Sequence, residues 1–265
     1  MKLAWMFFKR DAIIAWSYKV DLIFQVLIRL LLIVLFYFLL RSLPLPTSVS
    51  SFPGGVFPSI MIGIAFSDCV SVSVSVFAKQ IREAQMTGSL EITLMSPVPL
   101  LLVLIYSSLW AYSFSAVRFV FYLLVSSALL GVNLSHAAWL SSFVVLILTD
   151  VCFMGLGILL SSAVIIFKRG DNLTVLMGDL LLFSSGVFFP IAVLPPLAQT
   201  LAKLVPFTPA LAAMRASLLT GASLSRLLPN LQMLAIFTVI TLVVGFLCFT
   251  WAVSSSRKNG TLSEF

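Results

Sequence analysis

Six long stretches of apolar residues constrain this chain more than any other feature of its sequence. Each is close to the roughly 20 residues that an α-helix needs to cross a hydrocarbon core. The stretches are 22–40, 57–78, 100–129, 139–167, 173–189 and 231–253. Because these runs are continuous and do not alternate with polar residues, they exclude the strands of a transmembrane barrel. We therefore predict an all-α membrane protein with six transmembrane helices, which form one domain over residues 1–265.

The composition indicates that lipid is the solvent for most of the chain. Of its 265 residues, 61% are hydrophobic and only 9% are charged, whereas soluble domains carry about 25% charged residues. This excludes a soluble enzyme, a disordered chain and a secreted disulfide scaffold. Three scattered cysteines and the single His136 have no partner at ligand spacing, so we expect no metal site.

The positive charges predict the orientation of the spans. Cytoplasmic segments of membrane proteins carry an excess of Lys and Arg. Ten cations lie in the N-terminal segment, the loops after spans two and four, and the C-terminal tail, whereas four lie on the opposite side. Both termini are therefore expected on the cytoplasmic side of the cytoplasmic (inner) membrane. The net charge of +7 thus reflects membrane topology, and no nucleic-acid module accompanies it.

An interfacial helix is predicted at residues 1–21, before the first span. Its aromatic residues suit the headgroup layer, and its cations suit anionic lipid. These residues are Trp5, Phe7, Phe8, Trp16 and Tyr18, with Lys2, Lys9 and Arg10.

The chain lacks the motifs of an energy-converting or catalytic site. It contains no G-x-x-x-x-G-K-[ST] phosphate-binding loop, no G-x-S-x-G elbow and no H-E-x-x-H helix. We expect a transport subunit that is not an enzyme and binds no cofactor itself. If it moves a substrate uphill, another chain must supply the energy.

The loop at 79–99, between spans two and three, is the most polar part of the body of the chain. Pro97 and Pro99 end it sharply before span three. A short helix across the membrane face would present polar side chains to a cytosolic partner, although a solvated connector explains the composition equally well. The candidate contact residues are Arg82, Glu83, Gln85, Gly88, Leu90 and Glu91.

Two motifs make the chain resemble the permeases of ABC-2 type transporters. The first is Glu83-x-x-x-Thr87-Gly88-Ser89-Leu90-Glu91-x-x-Leu94-x-Ser96-Pro97, which is similar to the family's coupling region, although the family more often has Thr at the position of Ser89. The second runs from Phe183 through Phe188-Phe189-Pro190 to Leu194-Pro195-Pro196 and Pro206-Phe207-Thr208-Pro209. It resembles the end of span five and the external segment that follows.

The resemblance implies a permease that works as a homodimer or heterodimer with two cytosolic ABC ATPase subunits. ATP and Mg²⁺ would then be bound by those partner subunits. The coupling helix would lie in a groove of the ATPase, with Glu83 and Glu91 making polar contacts. Gly88 would allow the backbones to approach closely.

The segment 190–230 is too apolar for an ordinary external loop and too rich in proline for a span. Two short re-entrant helices, buried against protein, satisfy both observations. In the family such helices cap the translocation path externally. Phe188 and Phe189 at their entry are candidates for an apolar gate, together with Pro190, Pro195 and Pro196, although packing or lipid contact is the commoner role of a phenylalanine.

Five ionisable residues fall within the predicted spans: Arg29, Asp68, Arg118, Asp150 and Asp179. A charge at the membrane centre costs about 2.5–3.5 kcal/mol on insertion scales, so each needs a partner or water. Counting residues from the span ends puts Arg118 and Asp150 at equal depth. We expect an outer Arg118–Asp150 pair and an inner cluster of Arg29 with Asp179 or Asp68. These pairs either fix the helix packing or change partners during transport.

Small residues recur on spans two and four, where they allow close approach of helices in lipid. They are Ser67, Ser71 and Ser75 on span two, and Gly155, Gly157, Ser161 and Ser162 on span four.

The resemblance favours export of an amphipathic or hydrophobic substrate, such as a drug, an antibiotic or a lipid. Export of a lipid-linked glycan is the alternative within the family, with Tyr106, Trp110 and Tyr112 as candidates for stacking on sugars. A membrane scaffold or channel that consumes no ATP is the alternative of another class.

Overall fold

The computed structural model describes residues 2–42, 54–167, 176–178, 180, 185–188 and 195–259, and the regular elements among them are all helical. The helices are α1 (Lys2–Ser17), α2 (Lys19–Ser42), α3 (Val56–Met86), α4 (Ser89–Met95), α5 (Leu100–Leu130), α6 (Trp139–Phe167), α7 (Pro196–Lys203), α8 (Phe207–Leu219) and α9 (Leu224–Asn259). The prediction of an all-α membrane protein is confirmed.

Five of these helices, α2, α3, α5, α6 and α9, are long and apolar enough to cross a membrane. They correspond to five of the six predicted spans. The other predicted span, at 173–189, falls mostly on residues outside the described part of the chain. The count of six therefore stays a prediction.

α3 is the central helix of the bundle and packs against α2, α5, α6 and α8. Its sequence is richer in small and polar residues than those of the other spans, and most of its side chains are buried. Small residues let the neighbouring backbones approach closely, which is what association in lipid requires. The serine hydroxyls of α3 bond to carbonyls of their own helix, as Ser67 does to Ile64 at 2.7 Å.

The large aliphatic and aromatic side chains lie on the outside of the bundle. α2 exposes more than half of its apolar residues and fully buries only Ile33, and α5 and α9 each expose one apolar face. In water such a surface would be an aggregation hazard, whereas in a bilayer it is the surface that contacts lipid. The exposed faces include Phe24, Leu31, Phe38, Phe121, Leu124, Val239, Val243 and Trp251.

α6 is held between α3 and α9 by two glycines. A Cβ on Gly155 would lie 2.6 Å from the carbonyl carbon of Thr241 in α9, and a Cβ on Gly157 would lie 2.5 Å from the carbonyl oxygen of Ser73 in α3. The hydroxyl of Thr241 also donates to the carbonyl of Cys152 at 2.9 Å. The small residues of span four thus bring helices together within this chain.

Several helix ends differ from their predicted positions, and two of the differences are large. α3 does not end near residue 78 but continues to Met86, so the first part of the predicted 79–99 loop is helical. α9 begins at Leu224, inside the predicted 190–230 segment, and it contains Pro229. Pro229 is the sixth residue of α9, so it removes the one internal hydrogen bond that an N–H at this position would donate to the carbonyl of Ser225.

The close contact between α6 and α9 predicts that bulk at Gly245 destabilises the bundle. A Cβ on Gly245 would lie 2.5 Å from the carbonyl oxygen of Gly155. Gly245→Leu should lower the free energy of unfolding by about 1–3 kcal/mol, measured by thermal unfolding in detergent. The matched control is Ala235→Leu on the exposed side of the same helix, which should change stability little. Similar losses for both variants would contradict this packing.

Candidate functional site

The junction between α3 and α4 is a tight turn at Thr87 and Gly88. Gly88 has a φ of +67°, a left-handed conformation that favours glycine. The amide of Thr87 donates to the carbonyl of Glu83 at 3.0 Å, and its hydroxyl donates to the same carbonyl at 2.8 Å. A Cβ on Gly88 would meet no atom within 4 Å. Within the chain, Gly88 is therefore required for the turn and not for close packing.

α4 presents three large apolar side chains outward together with the end of α3. Met86, Ile92 and Met95 are 73%, 75% and 88% exposed. Leu90 lies on the opposite side of α4 and is buried, so it anchors the helix to the bundle. We call Met86, Ile92 and Met95 the α4 apolar face. Sequence reasoning missed it because it sought polar contacts in this loop, although two methionines and an isoleucine in a polar segment were the available signal.

The predicted contact residues divide into a surface set and a buried set. Glu83 is exposed and Arg82 is half-buried, whereas Gln85 and Leu90 are buried. The prediction that Gln85 faces a cytosolic partner is wrong. Because α3 continues through this segment, Gln85 lies one turn after the buried Ile81, on the packed side of the helix. The backbone of Glu91 lies in α4, but its side chain falls outside the described part.

The helix α1 rests on α5 beside α4. Phe8 makes an edge-to-face contact with Trp110 at a centroid distance of 5.4 Å, and Arg10 donates to the hydroxyl of Ser107 at 2.9 Å. A cavity of about 430 Å³ separates α1 from α4 and is lined by Arg10, Glu83 and Thr87, among others. α1, α4 and the first turns of α5 therefore form one continuous surface on the predicted cytoplasmic side. The predicted placement of α1 in the membrane interface stays a prediction.

One carboxylate within the spans lies between two guanidinium groups. An oxygen of Asp68 in α3 lies 3.1 Å from Nη2 of Arg118 in α5, and the other lies 3.4 Å from Nε of Arg29 in α2. Arg118 also donates from Nη1 to the side-chain oxygen of Gln25 at 2.6 Å. Asp68 and Arg118 are buried. This charge cluster joins α2, α3 and α5.

The expected Arg118–Asp150 pair is corrected by the structure. Arg118 pairs with Asp68, and the described partner of Asp150 is Ser73, which donates its hydroxyl at 2.9 Å. Their partners on α3, Asp68 and Ser73, are five positions apart, which corresponds to about 7.5 Å along a helix. α3 packs against both α5 and α6 and contacts the two side chains separately. Depth alone does not specify the direction in which a side chain points.

Arg29 is predicted to form an inner cluster with Asp179 or Asp68. In the structure its Nε lies 3.4 Å from an oxygen of Asp68. Asp179 lies outside the described residues.

The helices α7 and α8 are two separate short helices, in the segment where two external re-entrant helices are predicted. α7 begins at Pro196, directly after Pro195. α8 is buried, and its Phe207 ring lies 5.6 Å from that of Phe66 and 6.0 Å from that of Phe153. Their depth in the membrane stays a prediction.

The predicted gate residues are only partly within the described chain. Phe188 is half-buried and stacks on Phe36 of α2, with ring centroids 5.2 Å apart. Phe189 and Pro190 lie outside the described residues. A gating role for Phe188 stays a prediction.

Arg215 of α8 is a positioning residue that sequence reasoning counted only as an external charge. It is buried and donates to three backbone carbonyls: that of Ser59 at 2.9 Å, Gly186 at 3.1 Å and Val187 at 3.0 Å. The fork of N–H donors on a guanidinium suits several acceptors at once. Arg215 thus ties α8 to the start of α3 and to residues 185–188. A cation on an otherwise apolar helix was the available signal.

The sequence profile of the family described as ABC-2 type transporter matches residues 90–219. The match runs from the first turn of α4 to the end of α8. It therefore covers most of α4 together with α5, α6 and the external helices. No curated protein matches the chain.

The charge cluster predicts different effects for two aspartates of the spans. Asp68→Asn leaves Arg29 and Arg118 without their carboxylate and should lower the free energy of unfolding by about 3–5 kcal/mol. Asp150→Asn should cost about 1 kcal/mol, because an amide oxygen can still accept the hydrogen bond from Ser73. Thermal unfolding of both purified variants in the same detergent checks this. Equal losses would contradict the central position of Asp68.

Proposed function

We propose that this chain, whose residues 90–219 match the ABC-2 type transporter family, is the transmembrane subunit of an ATP-driven exporter. It would move an amphipathic or hydrophobic substrate out across the cytoplasmic membrane. Two separate ABC ATPase subunits would bind at α4 and supply the energy, and a second permease would complete the translocation path. Both termini would lie in the cytoplasm.

The α4 apolar face is the observation that carries this proposal. Met86 is exposed at the end of α3, and Ile92 and Met95 are exposed on α4, which the buried Leu90 anchors to the bundle. Exposed apolar side chains clustered in this way are typical of a protein–protein contact, and methionine adapts to the shape of a partner. Beside them the exposed Glu83 offers a charged contact at the rim.

Anchoring of α4 is what would make such a contact useful for transport. Gly88 and Thr87 join α4 to α3 without a flexible linker. A displacement of α4 by closure of the ATPase would therefore be passed to α3, the helix that contacts α2, α5, α6 and α8. Motion at the cytoplasmic surface would then reach every neighbour of the central span.

The lining available to a substrate supports an amphipathic or hydrophobic cargo. Among the described residues, the spans carry few charges, and three of them are engaged in the charge cluster. The external helices α7 and α8 lie at the opposite end of the bundle from α4 and would cap the path.

Substitutions on the α4 apolar face should separate the permease from its ATPase. Ile92→Asp and Met95→Asp would each place a charge in an apolar contact, and recovery of an ATPase with the tagged permease should fall at least about tenfold. The measurement is affinity purification in detergent. The recovered subunit is identified by its Walker A and ABC signature sequences and by ATP hydrolysis.

Leu197→Asp is the matched control, because Leu197 is 82% exposed but lies on α7 at the predicted external side. It should leave ATPase recovery unchanged. Recovery of no ATPase with the native chain, or equal recovery with Ile92→Asp, would overturn the proposal.

A further inference from the structure

A groove between α2, α3 and α5 combines cations with aromatic side chains. Its volume is about 180 Å³, and its lining includes Gln25, Lys79, Trp110, Phe114 and Arg118. Gln25 and Lys79 are exposed, whereas Trp110 and Phe114 are half-buried. Because Gln25 and Lys79 are exposed, the groove is open at the outer surface of the described helices.

The two cations of the groove lie at different depths. Lys79 is near the predicted cytoplasmic end of α3, and Arg118 lies further in, beside Asp68. Trp110 and Arg118 are eight positions apart in α5, which corresponds to about 12 Å along a helix. A molecule lying along the groove would therefore meet Lys79 near the surface, then the aromatic rings, and then Arg118.

Positive charge exceeds negative charge around this groove. Within the described part of the chain, no carboxylate lines the groove and none pairs with Lys79. Asp68 faces both Arg29 and Arg118, so one anion serves two cations. Asp21 reaches the groove only through Gln25, whose amide donates to it at 2.7 Å. Among the described residues, the lining of the groove thus contains two cations, Lys79 and Arg118, and no carboxylate.

Arg118 also has a free donor within the described part of the chain. Its Nε is buried and has no hydrogen-bond partner there, while Nη1 is bonded to Gln25 and Nη2 faces Asp68. A buried donor without a partner costs free energy. The face of the guanidinium lies over the ring of Phe114, 5.1 Å from its centroid.

We propose that this groove binds the anionic headgroup of an amphiphile from the cytoplasmic leaflet. Lys79 receives the headgroup at the membrane surface, and Arg118 with Gln25 forms a second, deeper site. Trp110 and Phe114 contact the apolar body between the two cations. An uncharged hydrophobic molecule would use the rings but neither cation, so the arrangement favours a ligand with a phosphate or carboxylate group. In naming the substrate class of the exporter, the inference rests on the proposed function.

Quenching of Trp110 fluorescence by brominated lipid tests the site directly. The full chain carries five tryptophans, and the other four are exposed, so each can be replaced by phenylalanine. The chain is reconstituted in nanodiscs of phosphatidylcholine that contain an equal fraction of brominated phosphatidylglycerol or brominated phosphatidylcholine. Preferential occupation of the groove gives stronger quenching by the anionic lipid.

Lys79→Gln should reduce the preference for the anionic lipid about fivefold, which is the effect of one cation near an anionic membrane surface. Lys79→Arg should retain the preference. Arg41→Gln at the other end of α2 removes a cation outside the groove and should leave the preference unchanged. Because Lys79 is exposed, its replacement leaves no cavity in the core, and the variants should fold like the native chain.

Three results would overturn the site: equal quenching by both lipids, an unchanged preference in Lys79→Gln, or loss of the preference when millimolar inorganic phosphate replaces chloride at constant ionic strength. The last would show that the cations bind a free anion in preference to the headgroup of an amphiphile. The assay contains no ATPase, whereas the co-purification experiment contains no labelled lipid. If the lipid assay fails but the ATPase is recovered, the proposed exporter function is retained and only the lipid site is rejected. If the lipid assay succeeds but no ATPase is recovered, the chain has a lipid site and the proposed exporter function is rejected.

Discussion

The contact of Asp68 with two arginines is the constraint on which the arrangement of the spans depends. In lipid an uncompensated charge is costly, so a carboxylate on the central helix selects the rotation of both neighbours that supply a cation. α2 offers Arg29 and α5 offers Arg118. The position of α2 rests heavily on this contact, because α2 buries few of its own apolar residues. The ion pair between Arg29 and Asp68 thus holds α2 against the bundle, whereas close packing holds the other helices together.

On the other side of α3, the helices pack closely because glycines at the contacts have no side chain. Gly155, Gly157 and Gly245 let α6 approach α3 and α9 until backbone atoms meet. In lipid there is no hydrophobic driving force between helices, so the contact between close backbones replaces it. The bundle therefore has a tightly packed side, formed by α3, α6 and α9, and a more loosely attached side, formed by α2. The groove with its cations lies on the loosely attached side.

Most of the fold follows from hydropathy, because the length of an apolar run is set by the thickness of the bilayer. α6 begins and ends where the sequence places its span, and α5 is longer by one residue. The end of α3 lies beyond the predicted one, because polar residues such as Lys79 and Arg82 can extend a helix past the membrane as readily as they can form a loop. The start of α9 likewise precedes its predicted position. Pairing of the charged residues could not be obtained from depth, since Arg118 and Asp150 approach α3 from different sides. The α4 apolar face could not be predicted from the sequence, because the side of α4 that is exposed depends on how the helix packs. In the structure Leu90 is the side chain that is buried against the bundle.

The three acceptors of Arg215 all precede it in the chain, at Ser59, Gly186 and Val187. Domains form from the N-terminus as the chain is synthesised, so each of these three carbonyls leaves the ribosome before Arg215 does. An apolar helix with one cation is a poor candidate for insertion on its own, but here its cation meets acceptors that have already been synthesised. This end of the bundle, which is the predicted external end, can therefore close in the order of synthesis, with the guanidinium of Arg215 joining the late segment to the early ones.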